Sequence, residues 1–238
     1  EYILSQKKAM NQMPGNGAVV TTIVSGKMAR EIAKAYDVEL IETLTGFKYI
    51  GEQIKFFEQN REHEYLFGYE ESYGCLVGTH ARDKDAVVAV MALCEVAAWC
   101  KRQGITLVEQ MEKLFRTYGF YKEGLCTVTL KGQDGAKKIA SMMENIRSNV
   151  PEQIGGLKVT RFRDYKEDVL IDFVKNTKGT TGLPISNVLY FEMEDCAWCC
   201  VRPSGTEPKI KFYIGVRGED DADASEKLET LTRAVEVL

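Results

Sequence analysis

The first half of the chain alternates two kinds of apolar pattern. Three β-rich runs, AVVTTIVS, VELIETL and EYLFGYE, are separated by segments in which apolar residues recur at helical spacing. One such segment places Phe47, Ile50, Ile54 and Phe57 on a single helical face. Because parallel strands need crossover connections, which are usually helices, the alternation predicts a Rossmann-like parallel α/β/α domain over residues 1–118.

The end of this predicted domain carries clear helix signals. A long apolar helix is expected from about Lys84 to Gln103, with Gly104 at the position that a left-handed C-cap prefers. Thr106 and Glu109 fit a capping box, so a further helix follows. The segment YGFYKEG, with two glycines, is predicted to link this domain to the next one.

The second half predicts a smaller α+β domain with an antiparallel sheet, over residues 119–238. Consecutive strand-like runs on short loops favour antiparallel pairing with helices on one face. The predicted strands are LCTVTL, LKVTRFRD, DVLIDFVK, NVLYFEME, AWCCVRP and KIKFYIGV, and the predicted helices are DGAKKIASMMENIRSNV and a terminal segment from about Ala224.

Composition excludes several classes of function. A net charge of −4 with interspersed charges provides no basic surface for nucleic acid. No apolar run is long enough to span a membrane, and no secretory signal is present, so a soluble cytoplasmic protein is expected. The seven cysteines lack disulfide spacing, and Cys199 and Cys200 are expected to lie in a strand rather than to bind metal.

The segment VRPSGTEPKIKF concentrates hydrogen-bond donors on one turn between two strands. Arg202 offers a planar fork, Ser204 and Thr206 offer hydroxyl groups, and Gly205 allows unusual dihedral angles. Such a turn can hold a tetrahedral anion, with phosphate as the natural occupant. A polar hairpin turn without a ligand explains the same residues equally well.

The segment GYEESYG follows the third β-rich run, at a strand end where α/β domains bind ligands. It is predicted to present Glu70, Glu71 and Ser72 outwards, where they suit the hydroxyl groups of a sugar. Taken alone, a solvated acidic turn is the better explanation. Together, an anion-binding turn and a polyol-binding turn predict a cleft for a phosphorylated sugar.

These two segments, with HARDKDAV, TTIVSGKMAREIA and TLTGFKYIGEQI, closely resemble motifs of the α-D-phosphohexomutase family. The resemblance is to the bacterial phosphoglucomutase/phosphomannomutase branch and covers nearly the whole chain. It implies a four-domain enzyme, an isomerase, that interconverts hexose 1-phosphate and hexose 6-phosphate through a bisphosphate intermediate. The present chain corresponds to the third and fourth domains, with the third lacking its first strand.

The resemblance also implies roles for individual residues. Substrate binding in the first domain is assigned to Glu70, Ser72, Thr45, Gly46 and Lys84, while Glu71 is less certain. Phosphate binding in the second domain is assigned to Arg202, Ser204, Gly205, Thr206 and Lys209. His80 has no clear match in the family pattern, and the choice between glucose and mannose is not determined.

The chemical machinery of the family is missing from this sequence. Neither the serine segment Thr-x-Ser-His-Asn-Pro nor the magnesium loop Asp-x-Asp-x-Asp-Arg occurs. No catalytic or metal-binding residue is therefore assigned, and DADASEK is read as helix capping. Mg²⁺, a hexose 1,6-bisphosphate primer and the missing amino-terminal domains are expected for the full-length enzyme, and this part alone is expected to be inactive.

Two other classes of function fit the same sequence. One is a stand-alone phosphosugar-binding or regulatory module without catalysis. The other is a structural pair of domains with polar turns and no ligand. The length of the native reading frame distinguishes a mutase from a stand-alone module. Binding of a hexose phosphate distinguishes either of these from a structural pair of domains.

Overall fold

The computed structural model describes residues 1–130, 132–205 and 207–236, apart from the side chain of Gln133. Two compact units of equal length make up the chain, Glu1–Gly119 and Phe120–Leu238. Among the described helices, none combines the length and apolar character needed to cross a membrane. Thr206, one of the predicted phosphate-binding residues, lies outside the described residues.

The first unit is an α/β domain around a mixed sheet. Parallel pairing joins its first strand to the second and third strands, and the fourth strand returns antiparallel beside the third. The sheet order is β2-β1-β3-β4. The strands are β1 (Gly17–Thr22), β2 (Glu39–Thr43), β3 (Glu64–Tyr69) and β4 (Cys75–Val77), and the helices are α1 (Tyr2–Ala9), α2 (Met28–Ala35), α3 (Phe47–Asn60), α4 (Ala86–Arg102) and α5 (Leu107–Tyr118).

Both faces of this sheet are covered, which confirms the predicted α/β class. Ala18 and Val20 of β1 point to one face, where they pack with α3. Val19 points to the other face, in a cluster with Leu4 of α1 and Leu66 of β3. Every residue of β1 is buried, as expected for a central parallel strand. The face of α3 predicted from its apolar spacing is the face that it buries.

Helix α4 has the predicted position, but it buries little of its apolar surface. The Asp85 side chain caps its first turn by accepting hydrogen bonds from the backbone N–H groups of Val87 and Val88. Gly104 has φ +74°, so the predicted left-handed residue follows its end. Four large apolar side chains of α4 remain exposed: Val87, Val90, Met91 and Leu93.

Helix α5 begins with the capping box that the sequence predicts. Thr106 Oγ1 accepts a hydrogen bond from the Glu109 N–H at 3.1 Å, and the Glu109 carboxylate accepts one from the Thr106 N–H at 2.7 Å. Thr106→Ala is expected to lower the free energy of unfolding of the first unit by about 1 kcal/mol, because the helix loses its N-cap acceptor. Thr106→Ser keeps the acceptor and should stay close to the parent in urea denaturation. Equal losses for both variants would contradict this account.

The second unit is an α+β domain with an antiparallel sheet, so the predicted fold class of this half is also confirmed. Its sheet order is β5-β12-β11-β10-β7-β8-β9, with β6 beside β7. The strands are β5 (Phe120–Thr129), β6 (Gln153–Ile154), β7 (Leu157–Asp164), β8 (Val169–Asp172), β9 (Thr177–Gly179), β10 (Leu189–Met193), β11 (Trp198–Pro203) and β12 (Lys209–Gly218), and the helices are α6 (Gly132–Ser148) and α7 (Asp221–Val235).

One face of this sheet forms the core of the unit with α6 and α7. Phe191 of β10 and Cys199 of β11 are fully buried there, together with Met143 of α6 and Leu231 of α7. Cys199 and Cys200 lie side by side in β11, as predicted, and burial raises the pKa of the Cys199 thiol well above its ordinary value. The cysteines of this strand therefore behave as small core residues.

The boundary between the two units falls within the predicted link over residues 118–124, but the link is shorter than predicted. Only Gly119 separates α5 from β5, and β5 pairs with β12 along its whole length. Gly124 lies within the strand, and a Cβ at this position would be 3.2 Å from Ile214 Cγ1, which is a tight contact. The glycine reflects close packing rather than flexibility.

Candidate functional site

Three connections of the first unit leave the same edge of its sheet. Thr22 at the end of β1 pairs with Thr43 at the end of β2, and Thr21 pairs with Tyr69 at the end of β3. The predicted sugar-binding residues lie just beyond these positions. In open α/β sheets, the carboxyl ends of parallel strands are where ligands bind.

The segment GYEESYG forms the tight turn of the β3–β4 hairpin. The Glu70 N–H donates to the Gly74 carbonyl at 2.8 Å, which closes the turn. Ser72 is exposed, as predicted, and Tyr73 is fully exposed with φ +66°. Glu70 is instead buried, with 8% of its surface exposed. The expectation of an outward-pointing turn therefore holds for Ser72 and not for Glu70.

Lys84 explains the burial of Glu70. Its Nζ lies 3.5 Å from Glu70 Oε1 and 6.0 Å from the centre of the Phe47 ring. Its aliphatic chain covers Gly74, where an added Cβ would be 2.7 Å from Lys84 Cδ. The structure thus brings Lys84 and Glu70 together, beside the first residue of α3.

The turn before α3 holds the other two predicted sugar-binding residues. Thr45 and Gly46 are half-buried and connect β2 to α3. Gly46 has φ +116°, a backbone conformation that residues with a side chain rarely adopt. The turn therefore depends on glycine at this position.

Glu71 is held by residues that were not predicted to belong to the site. The Thr22 hydroxyl donates to Glu71 Oε2 at 2.8 Å and lies 2.9 Å from the Ser25 hydroxyl. Thr22 and Ser25 are fully buried. Ser25 therefore supports this edge of the sheet and does not cap α2, whose N-cap is Lys27. The Glu71 carboxylate is half-buried, and one of its oxygens already accepts a hydrogen bond from within the protein.

A second buried group stabilises the same edge. Lys27 Nζ lies 2.6 Å from Glu42 Oε1, and Arg30 lies 2.6 Å from Glu42 Oε2. Burial alone raises the pKa of Glu42, but the charges and hydrogen bonds of Lys27 and Arg30 outweigh it, so the pKa falls below its ordinary value. No spacing signal in the sequence pairs residues 27 and 42, which lie on different elements.

The predicted phosphate-binding segment forms the turn between β11 and β12. The Ser204 N–H donates to the Lys209 carbonyl at 2.8 Å, and the Ser204 hydroxyl accepts from the Glu207 N–H at 3.3 Å. Gly205 has open space around it and does not have a positive φ. The missing side chain therefore leaves the backbone of the turn accessible.

The two cations of this turn differ in their contacts. Lys209 Nζ lies 3.1 Å from both carboxylate oxygens of Glu207. Arg202, by contrast, has no ion-pair partner in the described part of the chain, and it is half-buried. A half-buried guanidinium without a counter-charge is well suited to bind an anion.

This turn forms one wall of a cavity of about 880 Å³. Arg202, Ser204 and Gly205 line it, and one face of α6 provides a second wall. Ser186 and Asn187, which precede β10, also line the cavity. Neither residue was predicted to belong to the site, because Asn187 begins the predicted strand NVLYFEME and Ser186 precedes it without a motif.

No group of three or more His, Cys, Asp or Glu residues suited to a metal ion occurs in the described ranges. In DADASEK, Asp223 accepts a hydrogen bond from the Glu219 N–H at 2.8 Å and lies 2.9 Å from Lys227 Nζ. Asp220, just before this segment, caps α7. The residues present do not fit the magnesium site expected for the full-length enzyme.

Comparison with known proteins shows which family has these two units in this order. Residues 1–118 match the sequence profile described as phosphoglucomutase/phosphomannomutase, alpha/beta/alpha domain III. Residues 146–231 match the profile described as phosphoglucomutase/phosphomannomutase, C-terminal domain. The class defined by this combination is the phosphohexomutases. More narrowly, the chain belongs to the phosphoglucomutase/phosphomannomutase family.

Proteins with similar sequences include phosphoglucomutases. A phosphoglucomutase of Staphylococcus aureus strain MRSA252 is 36% identical over 213 residues, which cover 90% of this chain and 38% of the relative. That of strain USA300 is 35% identical over the same length. The chain thus spans less than two fifths of the length of these relatives.

Solved structures share the fold at low sequence identity. The Paramecium phosphoprotein pp63/parafusin, a phosphoglucomutase in its open form, matches 93% of this chain and 36% of its own with a TM-score of 0.61 and 18% identity. A phosphoglucomutase/phosphomannomutase family protein from Burkholderia thailandensis matches 99% of this chain and 40% of its own, with a TM-score of 0.57 and 13% identity.

Proposed function

We propose that this chain is the substrate-binding part of a cytoplasmic phosphoglucomutase/phosphomannomutase that interconverts hexose 1-phosphate and hexose 6-phosphate. The observation that carries the proposal is the cavity lined by Arg202, Ser204 and Gly205, in which the Arg202 guanidinium has no counter-charge among the described residues. Family membership and the 36% identity to a phosphoglucomutase support the hexose phosphate as ligand.

In this proposal, the β11–β12 turn holds the phosphoryl group that is not transferred. Arg202 supplies a charge-assisted hydrogen bond, and the open backbone at Gly205 supplies N–H donors. Lys209 binds the anion after it releases Glu207. The ion pair between Lys209 and Glu207 is exposed to solvent and therefore weak. Thr206, outside the described residues, is proposed as a further donor.

The first unit is proposed to bind the sugar hydroxyl groups. Glu70 is buried against Lys84, so it offers an oriented carboxylate rather than a mobile one. Ser72 is exposed at the hairpin tip, and Thr45 and Gly46 form the neighbouring turn. Acceptors and donors fixed in this way can bind a hexose in either of two orientations. These residues orient the sugar, and none of them attacks phosphorus.

Calorimetry with glucose 1-phosphate tests the proposal. Saturable binding is expected, with no binding of glucose at the same concentrations. Arg202→Ala should weaken the affinity at least tenfold, because a hydrogen bond to a charged group contributes about 1.5–3 kcal/mol. Arg217→Ala is the matched control, since it removes an exposed arginine of β12 that stacks on Tyr121. Equal affinities of the two variants, or binding of glucose alone, would count against the proposal.

The chain alone is expected to have no mutase activity. Phosphoryl transfer requires an aligned nucleophile and neutralised charge, and the phosphoserine and magnesium segments are absent from this sequence. The assay adds glucose 1-phosphate, Mg²⁺ and glucose 1,6-bisphosphate, and it detects glucose 6-phosphate through a coupled dehydrogenase. Product formation above a protein-free blank would refute this expectation.

A further inference from the structure

We infer that Asn187 is an additional phosphate-binding residue of this cavity, and that Arg147 is the positioning residue that directs its amide group. The inference rests on the proposed function, because it assigns a residue to the same hexose phosphate site. Asn187 lines the cavity together with Arg202 and Ser204 but comes from a different connection, the one that precedes β10.

Arg147, near the end of α6, uses each of its three side-chain nitrogens. Its Nε donates to Asp164 Oδ2 at 2.6 Å, and its Nη1 donates to Glu144 Oε1 at 2.9 Å. Its Nη2 donates to Asn187 Oδ1 at 2.8 Å. The Arg147 and Asp164 side chains are largely buried, with 10% and 3% of their surfaces exposed.

These contacts fix the role of each group. The charge of Arg147 is compensated by two carboxylates, so Arg147 adds little positive potential for an incoming anion. A guanidinium has only donors, so the atom of Asn187 that faces it must be the carbonyl oxygen. The Asn187 Nδ2 donor is left without a hydrogen-bond partner in the part of the chain that the structure describes. Asn187 is exposed on the cavity lining, so this donor can reach a phosphoryl oxygen of a bound ligand.

The connection that carries Asn187 is anchored before any ligand binds. The Ser186 N–H donates to the Tyr165 carbonyl at 3.1 Å, and the Tyr165 N–H donates to the Val188 carbonyl at 3.0 Å. Earlier in the same connection, Thr181 donates to Asp168 through its hydroxyl at 2.7 Å and its N–H at 2.9 Å. A donor held in place loses less conformational entropy on binding.

The test compares two substitutions that make the same chemical change. Asn187→Asp keeps the size of the side chain and an acceptor for Arg147, but it replaces the donor by a negatively charged oxygen. Asn176→Asp makes the same change at an exposed turn residue of the second unit, where the φ of +51° suits both residue types. Asn187→Ala removes the donor without adding charge.

Titration with glucose 1-phosphate, followed by amide NMR, gives both the dissociation constant and a direct readout of the donor. In the unsubstituted chain, the side-chain NH₂ resonances of Asn187 should shift saturably. Asn187→Asp should weaken binding at least tenfold and Asn187→Ala at least threefold, whereas Asn176→Asp should stay within twofold. Intact backbone spectra of each variant establish that it is folded.

The outcomes separate this inference from the proposed function. If Arg202→Ala abolishes binding while both Asn187 variants bind as well as the parent, the inference is wrong and the proposed function stands. The same holds if the ligand binds without moving the Asn187 side-chain resonances. No saturable shift anywhere in the unsubstituted chain would overturn both.

Discussion

Arg147→Met is expected to lower the free energy of unfolding of the second unit by about 3–5 kcal/mol, because it leaves a buried carboxylate without its counter-charge. Asp164 is the carboxylate concerned, with 3% of its side chain exposed and 2.6 Å between its Oδ2 and Arg147 Nε. Its other hydrogen bonds come from the backbone N–H groups of Lys166 and Glu167 and do not supply a positive charge.

The measurement uses the two tryptophans, one in each unit. Trp198 is buried in β11, so its fluorescence during urea denaturation follows the second unit once Trp99 is replaced by phenylalanine. Arg233→Met is the control, since Arg233 pairs with Glu229 at the surface of α7 in the same unit and should contribute less than about 0.5 kcal/mol. A similar small loss for Arg147→Met would show that the buried pair is not needed for stability.

Gly51→Ala is expected to destabilise the first unit by about 1–3 kcal/mol, although this change in a helix interior ordinarily stabilises by about 0.5–1 kcal/mol. An added Cβ on Gly51 of α3 would lie 2.1 Å from the Arg82 carbonyl oxygen. The clash is with backbone, and the Arg82 side chain is tied to Glu58 of α3 at 2.6 Å and 2.7 Å. The segment therefore cannot move aside easily.

The test is whether Gly51→Ala lowers or raises the free energy of unfolding of the first unit. With Trp198 replaced, the fluorescence of Trp99 reports on the first unit. Gly15→Ala serves as the control, because nothing lies within 4 Å of its Cβ position and its φ is not positive. A stabilised Gly51→Ala variant would mean that Arg82 does not press on α3.

Most of the fold follows from apolar patterning. The β1 run is predictable because a strand buried on both faces is continuously apolar, and α3 is predictable because one face repeats at helical spacing. The elements without such a signal include α1, which buries only Leu4, and β4, which has three residues. The start of β5 contains Gly124, and its glycine predicts a link rather than a strand, whereas the structure places it in the strand, packed closely against Ile214.

The candidate site was predictable by residue type rather than by arrangement. The donors of the β11–β12 turn are adjacent in sequence, so their chemistry can be read directly. The contacts of Lys84 with Glu70 and of Arg147 with Asn187 join different elements, and only the folded chain brings them together. The same reason explains why Glu70 was expected outside and is found buried.

Backbone amide NMR of the chain during addition of glucose 1-phosphate tests the central claim most directly. Saturable shifts at Ser204, Gly205 and Glu207 are predicted, with the same amides unmoved by glucose. Shifts confined to other parts of the chain, or equal shifts with the unphosphorylated sugar, would contradict a phosphate site at the β11–β12 turn.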